Sequence, residues 1–166
     1  RFTMPETVTP YVTERPLYID GSMIPLFHER VVSRRFTRSA VGLPDDAVVL
    51  ACFNNIYKIT PALFASWLRI LQRTEHTVLW LLDDNEWATA ALRSHAQAAG
   101  IDAGRLIFSG RATHADYREK LTLADLYLDT YPYNAGSTAR DGLDARVPLV
   151  TLSGRTPVSR MAGGLL

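Results

Sequence analysis

The chain changes character near residue 45. Before that point no hydrophobic period persists, and Pro5, Pro10, Pro16 and Pro25 interrupt any helix. A short strand at Tyr18-Ile19 is the one element expected there, so residues 1–45 read as an irregular arm or linker. Beyond it, apolar clusters recur at regular intervals. Residues 47–53 (AVVLACF) are an unbroken apolar run, the pattern of a strand buried on both faces. Thr60-Pro61 then supplies an N-cap and a proline at the first helical position. Leu63, Phe64, Trp67, Leu68 and Leu71 follow at helical spacing, so one face of that helix is buried.

The alternation continues to the end. Residues 77–82 predict a second buried strand, and 86–99 a helix closed by Gly100 in the C′ position. Residues 106–108 predict a third strand, 114–124 a helix, 126–128 a fourth strand and 137–145 a short helix. A fifth strand is expected at 148–152 and a further helix from 156. Asp83-Asp84 is expected to open a loop and cap the helix behind it. Strands alternating with helices imply βαβ units. The fold class is therefore α/β, with a Rossmann-like open parallel sheet covered by helices on both faces, over residues 46–166.

Composition narrows the function. With 166 residues, 47% hydrophobic and 21% charged, the chain has the makeup of an ordinary globular domain. A net charge of +1 gives no field that would recruit nucleic acid or acidic lipid. No apolar run approaches the ~20 residues that cross a membrane. The single cysteine, Cys52, excludes an internal disulfide and lies mid-strand, which fits a core residue in a reducing, cytoplasmic setting. His28, His76, His95 and His114 show no metal-ligand spacing, so no metal is expected. The chain opens at Arg1 and stops in an apolar run, so both ends read as cut.

In open parallel sheets, ligands bind beyond the carboxyl ends of the strands. Three loops lie there. Residues 54–58 (NNIYK) carry two amides and Lys58, a compact cation suited to phosphate. A solvated lysine is the plain alternative. Residues 109–114 (SGRATH) place a histidine at a helix start, a weak signal alone. Residues 131–138 (YPYNAGST) lead small and hydroxyl residues into a helix, whose free N–H groups suit an anion. An N-cap serine or threonine is the plain alternative here. Arg140 in the first turn opposes the helix dipole, a cost that a bound anion would offset. No Gly-x-Gly-x-x-Gly fingerprint and no Walker lysine loop is present.

Residues 53–59 (FNNIYKI) with Pro61, 78–82 (VLWLL) and 123–130 (LADLYLDT) resemble successive motifs of one family. So do 132–138 (PYNAGST) with Asp141, and 159–162 (SRMA). In order and spacing the chain resembles the O-linked N-acetylglucosamine transferase family, in its bacterial SPINDLY-like branch, from about Tyr11 onward. Members usually carry tetratricopeptide repeats ahead of the catalytic region. The resemblance implies the C-terminal half of a GT-B glycosyltransferase, the half that holds the UDP of a UDP-GlcNAc or UDP-hexose donor. It implies that Lys58 contacts the diphosphate, with Asn55 near the donor. Ala112 would meet the uracil through its backbone, with His114 near the nucleoside and Tyr117 and Lys120 at the base. Ser137 and Thr138 would offer N–H and hydroxyl groups to the phosphates, and Asp141 would hold the ribose. The partners implied are a UDP-sugar and a protein acceptor bound through parts of the parent outside this sequence. Self-association is expected if the missing half leaves apolar surface uncovered. The chain alone is expected to bind UDP weakly and not to turn over.

Three positions depart from the family pattern. Gly136 stands where the animal enzymes have a histidine, Asp144 where a bulky aromatic is expected, and Arg146 where a glycine would suit a left-handed helix end. Gly142 sits mid-helix at a cost of about 1 kcal/mol against alanine. These motivate a second reading, a non-catalytic binding or assembly module with a decayed nucleotide site. A third is an unrelated nucleotide-sugar enzyme, such as an epimerase, on the same fold.

Overall fold

The computed structural model describes residues 2–18, 20–22, 24 and 35–166. The apolar runs become five parallel strands: β1 (Val48–Cys52), β2 (Thr77–Asp83), β3 (Leu106–Gly110), β4 (Leu126–Leu128) and β5 (Leu149–Val150). They are hydrogen-bonded in the order β3-β2-β1-β4-β5. Ala51 of β1 registers with Trp80 of β2 on one side and Tyr127 of β4 on the other. Four α-helices connect them: α1 (Pro61–Arg73), α2 (Glu86–Ala98), α3 (His114–Leu121) and α4 (Ser137–Asp144). The α/β class and the parallel sheet are as the pattern predicts.

Side chains alternate across the sheet, which is why its strands are apolar throughout. Val49, Ala51, Val78 and Trp80 join the core under α3 and α4, where Leu121 and Ala139 meet them. Leu50, Cys52, Leu79 and Leu81 join the opposite core with Phe64, Trp67 and Leu71 of α1 and Ala96 of α2. Cys52 is fully buried, and burial pushes its thiol up to about 12, so it stays protonated and inert near neutral pH.

Helix starts follow local chemistry with one correction. Thr60 caps α1 by accepting from the Leu63 N–H, with Pro61 behind it. The cap of α2 is Asn85, which accepts from the Ala88 N–H; Asp83 and Asp84 do not cap. The reason is register: β2 runs on through Asp83, and the extended residue directly before the first helical turn is Asn85. Asp83 instead accepts from the Thr89 hydroxyl, and Asp84 pairs with Arg111. Gly100 ends α2 at φ +76°, as expected.

The C-terminal expectations were too regular. The fifth strand is two residues long, and the chain from Thr156 makes a single 3₁₀ turn, Pro157–Ser159, followed by further turns. Thr156 and Ser159 form a reciprocal capping box that closes the turn on itself. Gly163 and Gly164 then lie against Phe2 and Thr3, where an added Cβ would overlap side-chain atoms.

The N-terminal segment is less irregular than its prolines suggest. It holds 3₁₀ turns at Glu6–Tyr11, which contains Pro10, and at Ser39–Val41. Tyr18 is in no regular element, and Ile19, Pro25 and His28 lie outside the described residues. Arg160 stacks on the Phe2 ring at 4.3 Å and donates to its carbonyl. Arg38 donates to the carbonyls of Ala47 and Leu123 and to the Asp125 carboxylate, which also accepts from the Val49 N–H. One guanidinium thus ties the entry to β1 to the entry to β4.

Candidate functional site

Strand order reverses between β1 and β4, so the loops leaving those two strands splay apart and open a crevice above the sheet. A cleft of about 430 Å³ occupies it. Its wall comes from the loop after β1, the loop after β3, the first turn of α4, and one face of α3. Eight of the nine residues singled out from the sequence line it: Asn55, Lys58, Ala112, His114, Tyr117, Lys120, Ser137 and Thr138. The ninth, Asp141, sits one layer behind.

The loop before α4 is built around Asp129. Its carboxylate accepts from the N–H groups of Thr130 and Ala135 and from the Thr151 hydroxyl, all within 2.7 Å. Burial pushes this carboxyl above the ordinary carboxylate range, against the opposing pull of those hydrogen bonds and of Lys58. The fully buried Asn134 adds a bond from its amide to the Thr130 carbonyl. Asn54 joins the two sides of the crevice. Its amide donates to the Thr130 hydroxyl at 2.9 Å and its oxygen accepts from the Thr138 hydroxyl at 2.6 Å.

The N-cap of α4 is Gly136, not a serine or threonine, and no side chain caps the helix. A Cβ at Gly136 would come within 2.9 Å of the Met161 side chain and 3.1 Å of Ile24. The first backbone hydrogen bond of the helix runs from Arg140 N–H to the Gly136 carbonyl, so the preceding N–H groups have no intrahelical acceptor. Each of the other three α-helices is capped by its own side chain, Thr60, Asn85 or Thr113.

Several of the expected site residues are already engaged within the chain. The Thr138 hydroxyl is committed to Asn54, which leaves its backbone N–H for a ligand. Tyr117 packs edge-on against Phe53 at 5.6 Å, and burial pushes its phenol well up. It is a wall of the cleft before it is a stacking partner. Asp141 is 4% exposed and is engaged by two cations or potential cations: Arg140 donates to it at 2.9 Å and His114 Nε2 lies 3.3 Å away. Arg140 is thereby neutralised by Asp141, so no bound anion is needed to offset its place in the helix. The His114 contact is long for a hydrogen bond, so this ring can yield the carboxylate to another donor.

Gly142 has a packing reason. An added Cβ would lie 3.3 Å from the Tyr127 ring, so the missing side chain lets α4 approach β4. Arg146 occupies φ +61°, the left-handed conformation the sequence anticipates for that position. Asp144 is buried, and its Oδ2 has no partner among the described residues.

Two residues of these loops have no role in the sequence reading. Arg111 spans the mouth of the cleft, donating to Asp84 at 2.6 Å and to Asn55 at 3.1 Å. Tyr133 lies under the Lys58 ammonium. The available signal was a cation and an aromatic inside loops already marked by position. No group of three or more potential metal-ligating side chains occurs among the described residues. Nor is any helix there long and apolar enough to cross a membrane.

Comparison with known proteins gives one consistent result. A family model described as Glycosyl transferase family 41 matches residues 27–166. The chain is 37% identical over 128 residues to the probable UDP-N-acetylglucosamine--peptide N-acetylglucosaminyltransferase SEC of Arabidopsis thaliana, a match covering 77% of this chain and 13% of that protein. It is 28% identical over 132 residues to the probable UDP-N-acetylglucosamine--peptide N-acetylglucosaminyltransferase SPINDLY of Solanum lycopersicum, covering 76% of this chain and 14% of that one. The chain therefore spans about one-seventh of the length of these relatives. A solved Thermobaculum terrenum O-GlcNAc transferase mutant (K341M) shares the fold, with TM-score 0.82 and 22% identity over 99% of this chain and 31% of that one.

Proposed function

The chain belongs to glycosyl transferase family 41, and we propose that its cleft holds the UDP portion of a UDP-sugar donor. The parent protein would transfer N-acetylglucosamine or another hexose to a protein side chain. One observation carries this reading: Lys58 and the uncapped N-terminus of α4 face the same cleft at the point where the strand order reverses.

The chemistry follows from where charge develops. In glycosyl transfer the bond between the anomeric carbon and the outer phosphate oxygen breaks, and the departing UDP gains negative charge. A fixed ammonium and the positive end of a helix dipole lower that barrier, because both are in place before charge appears. These groups can meet the diphosphate without a metal. Ala112 would offer its backbone to the uracil, with Tyr117 and Lys120 beside the ring. Asp141 would reach the ribose by exchanging His114 for the sugar hydroxyls. Acceptor binding is assigned to other parts of the parent, so the chain alone binds donor and does not turn over.

Calorimetric titration with UDP, with ADP as control, tests this directly. Saturable binding that prefers UDP supports the reading; binding to neither by a folded chain removes it. The second reading, a module with a decayed site, draws on the buried Asp144 Oδ2, which has no partner among the described residues, and on Arg146 at positive φ. It requires absence of UDP binding together with a stable oligomer in solution. Family membership sets aside the epimerase reading.

A further inference from the structure

Lys58 ends the turn Ile56–Lys58, and two groups from the loop after β4 hold its ammonium. The Asn134 carbonyl accepts from Nζ at 3.2 Å. The ring of Tyr133 lies with its centroid 3.9 Å from Nζ. A lysine side chain carries large rotamer freedom, and ordering it at the moment of binding subtracts from affinity. Here the order is built in. An ammonium has three N–H donors. The carbonyl takes one and the ring face attracts the charge, which leaves donor capacity for an oxygen in the cleft.

The backbone that carries the ring is held in place. The Tyr133 carbonyl accepts from the Thr130 hydroxyl at 2.6 Å, and its neighbour Asn134 is fully buried and bonded to the Thr130 carbonyl. On the other side of the crevice Tyr57 approaches it, ring centres 6.4 Å apart. Tyr133 remains 42% exposed and belongs to neither core of the sheet.

We propose that Tyr133 is a positioning residue for phosphate recognition, its ring face holding the Lys58 ammonium in the orientation that meets the donor diphosphate. This rests on the reading of the cleft as a UDP site. An aromatic quadrupole performs the task; an aliphatic side chain of similar bulk does not.

The test is titration of the full chain and its Y133L, Y133F and K58A variants with UDP and with uridine. Y133L is expected to weaken UDP about 3- to 10-fold while leaving uridine affinity unchanged. Y133F keeps the ring face and is expected to match the parent chain. Equal loss for UDP and uridine in Y133L, or equal loss in Y133F and Y133L, overturns the inference by making the role one of shape or of the hydroxyl. UDP binding that falls in K58A and is unchanged in Y133L overturns it alone. No saturable UDP binding by the parent chain overturns it together with the reading of the cleft.

Discussion

Helices α1 and α4 both begin beyond the end of a central strand, and they begin in opposite ways. Helix α1 is closed by its own sequence: Thr60 accepts from the Leu63 N–H and Pro61 occupies the first helical position. It buries Phe64, Trp67, Leu68 and Leu71 against the sheet. Helix α4 starts at a glycine with no side-chain cap, and the residues it buries are Ala139, Asp141, Gly142 and Asp144. The first helix turns its side chains to the core, and Pro61 and the Thr60 cap remove two of the N–H donors at its start. The second contributes little apolar area and keeps its positive end facing the cleft. On the proposed reading of the cleft, two helices of one sheet thus divide stability from recognition.

That division can be broken from either side. Trp67→Ala should cost about 3–5 kcal/mol of folding stability, the largest effect expected, read by urea denaturation. A loss below 1 kcal/mol would show that α1 is not the anchor. Lys58→Ala should reduce UDP affinity roughly 10- to 100-fold with little change in melting temperature, as for loss of a charge-assisted contact. An unchanged titration removes Lys58 from the site. Thr60→Ala should cost about 1 kcal/mol of stability and leave UDP affinity alone, since the α1 cap serves only its own helix. A matching drop in affinity would mean that the two helix starts are coupled.

Smaller effects sharpen the contrast. Arg146→Gly should raise stability by up to about 1 kcal/mol, because φ +61° carries a steric cost for any residue with a Cβ. A destabilised variant would show that the arginine side chain compensates for that cost. Asp129 sets the loop ahead of α4, and its carboxyl is raised in the folded chain by burial. A group raised on folding favours the folded state below its unfolded value and loses that contribution as pH rises through its folded value. The stability of the parent chain relative to Asp129→Asn should therefore fall as pH rises from the ordinary carboxylate range. Denaturation midpoints of both chains across that range measure it, and parallel profiles would refute the sign.

The same contrast explains what could be read in advance. The capped start of α1, the Gly100 end of α2 and the buried strands are local statements, carried by adjacent residues. The cleft was legible as three loops, because a parallel sheet places the ends of its strands on one side. Its internal wiring was not. Thr138 spends its hydroxyl on Asn54, 84 residues away, and Asp141 turns to Arg140 and His114. Tyr133 gains meaning only when the loop after β4 crosses the turn that carries Lys58.

The alternation of apolar runs with amphipathic segments by itself determined the class of fold, the parallel sheet and the loops that could bind an anion, because burial on both faces demands apolar strands wherever they lie. Only the tertiary structure shows that α4 begins behind Gly136 with no side-chain cap, beside the side-chain ends of Met161 and Ile24. It also decided that the segment after Thr156 makes turns against Phe2 and Thr3 in place of a helix. Local periodicity cannot report either outcome, because the neighbours that set it are distant in the chain and adjacent only after folding.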